Sequence, residues 1–213
     1  MLGVEQPEGD DGFGRFNIAP TQEVLAVVED RHGRRMEMLR WGLVPAWAKE
    51  IKVGWKMINA RAETLHQRPA YRDLVRRARN RCLVVADGYY EWQRPEDPRQ
   101  PRRPLHCTLA DGEPFCFAGL WTRWHPPDSG QVVASCTIVT TDANELVRPV
   151  HHRMPAILRD PDAWEAWLDP ALDDEELAAL LEPIAADRFA ARPANPVLNS
   201  ARHEGPDCLA LAA

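Results

Sequence analysis

The sequence has no Cys-x-x-C spacing, and its five cysteines, Cys82, Cys107, Cys116, Cys136 and Cys208, are an odd number. That pattern argues against a disulfide framework and against a zinc site. Most of the five sit in strand-like apolar runs such as Cys82-Leu-Val-Val and Phe115-Cys-Phe, and they read as small core residues. No apolar run approaches the roughly 20 residues that span a bilayer. The opening stretch, Met1 to Gly14, is acidic and glycine-rich and lacks the basic-then-apolar order of a signal peptide. A cytoplasmic protein with no membrane partner is expected. Lys and Arg are missing altogether between Asp160 and Asp187, where ten acids fall.

The chain has 213 residues, 45% hydrophobic and 27% charged, which are globular values and fit one domain over 1–213 with a sizeable core. The net charge of −6 speaks against nucleic acid until its distribution is inspected. From Arg31 to Arg81 there are 14 Lys/Arg and 4 Asp/Glu, a local balance of +10. Such a stretch is either a phosphate-binding surface or a solvated basic face.

Val24–Val28 and Arg35–Trp41 read as strands joined by a turn at His32-Gly33. Gly42–Trp47 is a loop flanked by two tryptophans, Trp41 and Trp47. Tyr71–Arg79 predicts a short helix with Tyr71, Leu74, Val75 and Ala78 on one face and Arg72, Arg76 and Arg79 on the other. Arg81–Trp92 is one long strand-like run. Leu105–Leu109 and Phe115–Trp121 are strands with a hairpin signal, Asp111-Gly112, between them. Val132–Thr140 is another strand. Asp142-Ala-Asn-Glu145 predicts a capping box opening a helix of one to two turns before Pro149. Pro161 opens a helix carrying Trp164 and Trp167, which read as packing residues; Asp173–Leu181 is a second, acidic helix, and the tail from Phe189 is irregular. The pattern predicts an α+β fold, a domain of mainly antiparallel strands with short peripheral helices.

Three segments place polar residues in cramped surroundings: Ile58-Asn-Ala-Arg-Ala-Glu-Thr64, Ala86-Asp-Gly-Tyr-Tyr-Glu-Trp92 and Pro149-Val-His-His-Arg-Met-Pro155. Taken singly, Glu91 reads as an edge-strand charge and His151 as a capping or core histidine. Together the segments offer a carboxylate, an imidazole, an amide and two guanidiniums, enough for acid–base work on a phosphate-bearing substrate.

Asn17-Ile-Ala-Pro-Thr-Gln, Arg40-Trp-Gly-Leu-Val-Pro-Ala-Trp, Ile58-Asn-Ala-Arg-Ala-Glu-Thr, Cys82-Leu-Val-Val-Ala-Asp-Gly-Tyr-Tyr-Glu-Trp, Phe117-Ala-Gly-Leu-Trp, Cys136-Thr-Ile-Val-Thr-Thr and His152-Arg-Met-Pro resemble, in order, the signature blocks of the SRAP (SOS response-associated peptidase) family. The resemblance implies a barrel-like fold and a protein that handles abasic sites in single-stranded DNA, acting as a monomer with no metal or cofactor. It implies cross-linking to the open sugar through an N-terminal cysteine, whose amine and thiol close a thiazolidine. It also implies site residues. Asn59 would orient the open sugar, Arg61 would contact phosphate, Arg153 would bind DNA, Glu91 would serve acid–base steps, and His151 would assist ring opening. Trp41 and Trp47 would stack on unpaired bases, or else pack as core tryptophans beside a turn. A histidine suits proton transfer near neutral pH, and a glutamate of raised pKa can donate the proton that expels water from a carbinolamine.

The chain departs from the family at its start. It begins Met1-Leu-Gly-Val where the family begins Met-Cys-Gly-Arg, and no cysteine precedes Cys82. One reading is a degenerate member that binds DNA without cross-linking. The other is a start lying upstream, because Leu2-Gly-Val resembles a stretch found a little inside the family's own N-terminus; that is the expectation. Two further functions compete: a single-strand DNA sensor without chemistry, and a protease using Cys82 or Cys136 with His151. The protease reading is the weakest, since a thiolate is disfavoured in an apolar strand.

Overall fold

The structure, a computed structural model, describes residues 14–127 and 130–210. Met1–Phe13, which carry the expected N-terminal departure, lie outside the described residues.

β1 (Glu23–Asp30) and β2 (Gly33–Trp41) pair antiparallel along their full length, from Glu23 opposite Arg40 to Asp30 opposite Gly33. The turn at Arg31-His32 closes because Asp30 accepts the His32 N–H at 2.8 Å and Gly33 takes φ +91°, which glycine adopts without strain. β3 (Asn59–Arg61) is short. β4 (Arg81–Ala86) pairs with β1 and with β7 (Phe115–Trp124), and β7 pairs with β8 (Val133–Asp142). β8 then runs parallel to the end of β2, with Arg40 opposite Ser135 and Trp41 opposite Cys136. The strands β1, β2, β8, β7 and β4 thus form a ring. Its closure is only this two-residue parallel contact, so it is a ring of strands rather than a regular barrel. β3 pairs parallel to β8, β9 (Arg153–Pro155) antiparallel to β8, and β10 (Ile157–Leu158) antiparallel to β7.

A second sheet holds β5 (Tyr89–Gln93), β6 (Arg103–Leu109) and β11 (Phe189–Pro193). Alternation along β7 shows how the core is divided. Phe115, Phe117 and Trp121 pack with Cys107, Leu109 and Phe189 of the second sheet. Cys116, Ala118 and Leu120 pack with Trp167, Leu168, Leu177 and Leu181. Those four belong to, or directly follow, α2 (Pro161–Leu168) and α3 (Asp174–Leu180). A strand buried on both faces reads as a near-continuous apolar run, and β7 does. Trp167 is fully buried and donates its indole N–H to the Cys82 carbonyl at 3.1 Å; Trp164 donates to the Leu158 carbonyl at 2.8 Å. Both are packing residues, as expected.

Four local expectations are corrected. The run Arg81–Trp92 is two strands in different sheets, parted at Asp87-Gly88. Asp111-Gly112 is a turn, with Gly112 at φ +76°, but its flanks β6 and β7 diverge into different sheets and form no hairpin. Residues 145–150 form hydrogen-bonded turns, not a helix, and Asn144, not Asp142, accepts the Val147 N–H, at 3.0 Å. The tail from Phe189 begins with β11 instead of irregular chain. The short helix is α1 (Arg72–Val75), followed by a 3₁₀ turn at Ala78–Asn80; Tyr71 and Val75 are buried, while Arg72, Arg76 and Arg79 are exposed.

Candidate active site

A cavity of about 820 Å³ opens between the ring and the second sheet. Asn59, Glu91, His151, Trp41 and Arg153 line it; Arg61 and Trp47 do not. Three separate sequence blocks are thereby gathered onto one space.

Glu91 sits on β5, and its Oε1 lies 3.9 Å from Nδ1 of His151. That is an electrostatic contact, too long for a hydrogen bond. Burial pushes the Glu91 carboxyl above the ordinary carboxylate range, while the nearby His151 and the Trp92 N–H pull the other way. The Glu91 side chain is 23% exposed and the His151 side chain 46%, so the imidazole is the more solvent-facing partner. His151 is oriented by the backbone of Arg153. With a proton on Nδ1 it donates to the Arg153 carbonyl at 2.9 Å; without one it accepts the Arg153 N–H at 3.2 Å. In either tautomer Nδ1 is occupied and Nε2 is left for a substrate.

Arg153 is itself fixed. Its guanidinium pairs with both oxygens of Glu63, donates to Asp142 Oδ1 at 2.8 Å and to the Thr140 carbonyl at 2.5 Å. The same pairing holds the Glu63 carboxyl below its usual range. Arg153 Nε is buried without a partner. Trp41 is half-buried and donates its indole N–H to the Ile58 carbonyl at 2.9 Å, next to Asn59, so ring and amide are held together on one wall. Trp47, by contrast, is 65% exposed, and Trp55 of the neighbouring 3₁₀ turn is 55% exposed. Arg61 is exposed at the end of β3. A close approach of two backbones carries the loop between them: a Cβ at Gly42, which has φ +132°, would lie 2.7 Å from the Gly54 carbonyl oxygen.

Other cavity residues were not singled out by sequence. Asn17 is buried and donates to the carbonyls of Ser200 at 3.1 Å and His203 at 2.9 Å. Its signal was the Asn-Ile-Ala-Pro block, to which the resemblance attaches no residue role. His106 and Asp87 also line the cavity, and burial lowers the His106 pKa against the pull of Asp87. Nothing in the plain strand pattern of β6 marks His106. The five cysteines are all buried and free. Burial pushes Cys107, Cys116 and Cys136 up to about 12 and Cys82 well above its ordinary value, so none of these is poised as a thiolate. Among the described residues His203, Asp207 and Cys208 bring potential ligand atoms close together; they do not line this cavity, although Leu209 beside them does.

A strand ring joined to a second small sheet, with a carboxyl–imidazole pair in the cleft between them, defines the class of domain. The chain belongs to the SOS response associated peptidase (SRAP) family, whose profile matches residues 2–201. It is 41% identical over 204 residues to the abasic site processing protein YoqW of Bacillus subtilis, covering 95% of this chain and 88% of that one. It is 35% identical to the chicken abasic site processing protein HMCES, covering 84% of this chain and 58% of that one. Crystal structures of proteins from Bacteroides thetaiotaomicron and Bordetella bronchiseptica superpose with TM-scores of 0.79 and 0.70, each at 27% identity. They cover 91% and 90% of this chain and 82% and 96% of their own. No helix among the described residues is long and apolar enough to cross a membrane.

Proposed function

We propose that this chain binds single-stranded DNA and processes abasic sites in it, with Glu91 and His151 as the acid–base pair. The observation that carries the reading is a carboxyl, raised by burial, 3.9 Å from an imidazole in a cavity that Asn59 and Trp41 also line. An abasic sugar is mostly a closed hemiacetal. Opening it moves one proton from the anomeric hydroxyl to the ring oxygen, with no net gain or loss. His151 takes the first proton and a protonated Glu91 supplies the second. Once the His151 imidazolium has returned its proton to Glu91, a later carbinolamine loses water more readily with Glu91 donating to the departing hydroxyl. Asn59 holds the open sugar through its amide. Arg61 offers an exposed guanidinium to phosphate, while Arg153, its guanidinium spent on Glu63, Asp142 and Thr140, holds His151 in place through its backbone. Trp41 and Trp47 stack on bases along the approach. The relatives' shared description as abasic site processing proteins supports the substrate. The covalent step implied by the family resemblance needs an N-terminal cysteine, and this sequence has no cysteine before Cys82.

The test compares an abasic single-stranded oligonucleotide with an intact one of the same length, in a version of the chain that begins with cysteine. Denaturing gels are expected to show an adduct with the abasic strand only. His151→Ala and Asn59→Ala are expected to slow it, with DNA binding retained. Equal behaviour of the two oligonucleotides, or wild-type rates in both variants, would remove these residues and this substrate from the function.

A further inference from the structure

We propose a second phosphate-binding site, remote from the cavity, in a depression of about 410 Å³ between the turn after α1 and the end of α2. It rests on the nucleic-acid reading above and extends the path of the strand. Arg76, Arg77 and Arg79 line it, all three exposed. The only acids lining it are Glu29 and Asp30, and both are already engaged. Glu29 pairs with Arg34 at 2.7 Å, and Asp30 with Arg35 at 2.9 Å and Arg123 at 3.3 Å. Three exposed arginines therefore line the depression, and each of its two acids already has an arginine partner of its own.

The walls are also held rigid from behind. Arg81, only 2% exposed, donates to the Val75 carbonyl at 3.1 Å and to the Asp169 carbonyl, and lies over the Trp167 ring at 5.8 Å. Val75 immediately precedes Arg76, and Asp169 sits between Leu168 and Pro170 of the opposite wall. One buried cation thus ties both sides together, adds positive potential, and keeps its Nε without a partner. With the backbone behind them fixed, only the exposed arginine side chains have to be ordered when phosphate binds.

The lining decides which phosphate. None of the eight lining residues is aromatic, so no base is stacked. The lining offers charge and no stacking surface, which fits a backbone phosphodiester. Val24 and Leu25 of β1 line the cavity, whereas Glu29 and Asp30 of the same strand line the depression. Four or five residues of strand separate them, about 15 Å at roughly 3.3 Å per residue. A long strand can reach both sites and a very short one cannot.

The experiment titrates wild type and the triple variant Arg76→Gln, Arg77→Gln, Arg79→Gln with a long and a very short single-stranded oligonucleotide over a salt series. Inorganic phosphate is titrated in a parallel arm. The variant is expected to lose affinity for the long strand, with a salt slope shallower by about 0.7 for each phosphate it no longer neutralises. It should bind the short strand like wild type and keep the wild-type melting temperature. An unchanged slope on the long strand overturns the proposal, and so does an equal loss on the short one. Binding of inorganic phosphate that the variant loses, with the long strand unaffected, overturns the backbone assignment in favour of a free anion. If wild type binds neither strand, the nucleic-acid reading falls and this site falls with it. If wild type binds and the variant matches it, only this site falls.

Discussion

Glu91 is held in conflict with its surroundings. Burial favours its neutral form, and only His151 and one backbone N–H favour the charged one. Its folded pKa lies above the unfolded value, so its contribution to stability is fully present below the ordinary glutamate range. That contribution is lost as pH rises through the raised value. Glu91→Gln keeps the shape and removes the charge. The variant is expected to melt higher than wild type at neutral pH and to converge with it in acid, as calorimetry across pH will show. The same substitution should slow adduct formation on abasic DNA roughly 100-fold or more, because the proton donor is gone. A variant that melted lower at neutral pH would contradict the burial cause given for Glu91. Asp30 behaves in the opposite sense. Its pairing with Arg35 and Arg123 and the His32 N–H hold its carboxyl well below the usual range. Its stabilisation is present above the unfolded pKa and is lost as pH falls through the depressed one. Asp30→Asn should lower stability by about 1–3 kcal/mol at pH 7, read from urea unfolding, and by progressively less toward strong acid.

At the level of elements, strand identity was legible, but beyond the β1–β2 hairpin strand partnership was not. β1, β2, β6, β7 and β8 each overlap a run that β-branched and aromatic residues mark out, and each extends past it at one or both ends. The break inside Arg81–Trp92 was hidden because apolar residues continue on both sides of it. Its cause is steric. At Gly88 a Cβ would collide with His106 Nε2 and lie 2.9 Å from the Cys107 carbonyl oxygen, so the chain passes from one sheet to the other against β6 where only glycine fits. Gly88→Ala is therefore expected to destabilise by about 1–3 kcal/mol in denaturant titration and to disturb the Glu91 wall of the cavity. The Asp111-Gly112 turn misled for the complementary reason: a dipeptide fixes how the chain reverses, not which neighbour each flank finds. Asn144 outcompeted Asp142 as the capping group because Asp142 is spent on Arg153. Blocks of sequence pointed to five of the residues that line the cavity, Trp41, Asn59, Glu91, His151 and Arg153, but also to Arg61 and Trp47, which do not. What could not be read was that Arg153 would be enclosed by Glu63, Asp142 and Thr140, since those partners lie far apart in the chain.

For the whole molecule, the count of basic residues overstates the field available to a ligand. Arg34 and Arg35 pair with Glu29, Glu165, Asp30 and Glu37, Arg40 donates to the Thr21 carbonyl, and Arg81 is buried. Lys49, Lys52, Lys56, Arg61 and Arg68 remain exposed, beside the outward Trp47 and Trp55. Binding of single-stranded DNA should therefore weaken with salt by a slope of a few phosphates, about 0.7 each, and should exceed binding of duplex of equal length. Fluorescence titration checks both, and equal duplex affinity would count against stacking on these tryptophans.

The tie between Asn17 and the carbonyls of Ser200 and His203 has a bearing on how the protein is made. Glu204 adds to it by accepting the N–H groups of Phe16 and Asn17 and pairing with Arg15. Residues 14–20 and residues 198, 199, 201 and 209 are walls of the same cavity. On the ribosome the first of these walls emerges early and waits for a partner nearly two hundred residues behind it, the slow kind of pairing in folding. Until that late stretch clears the exit tunnel the cleft has one side missing. The growing polypeptide therefore cannot hold a substrate in a finished cleft before that stretch has emerged, whatever else has already folded.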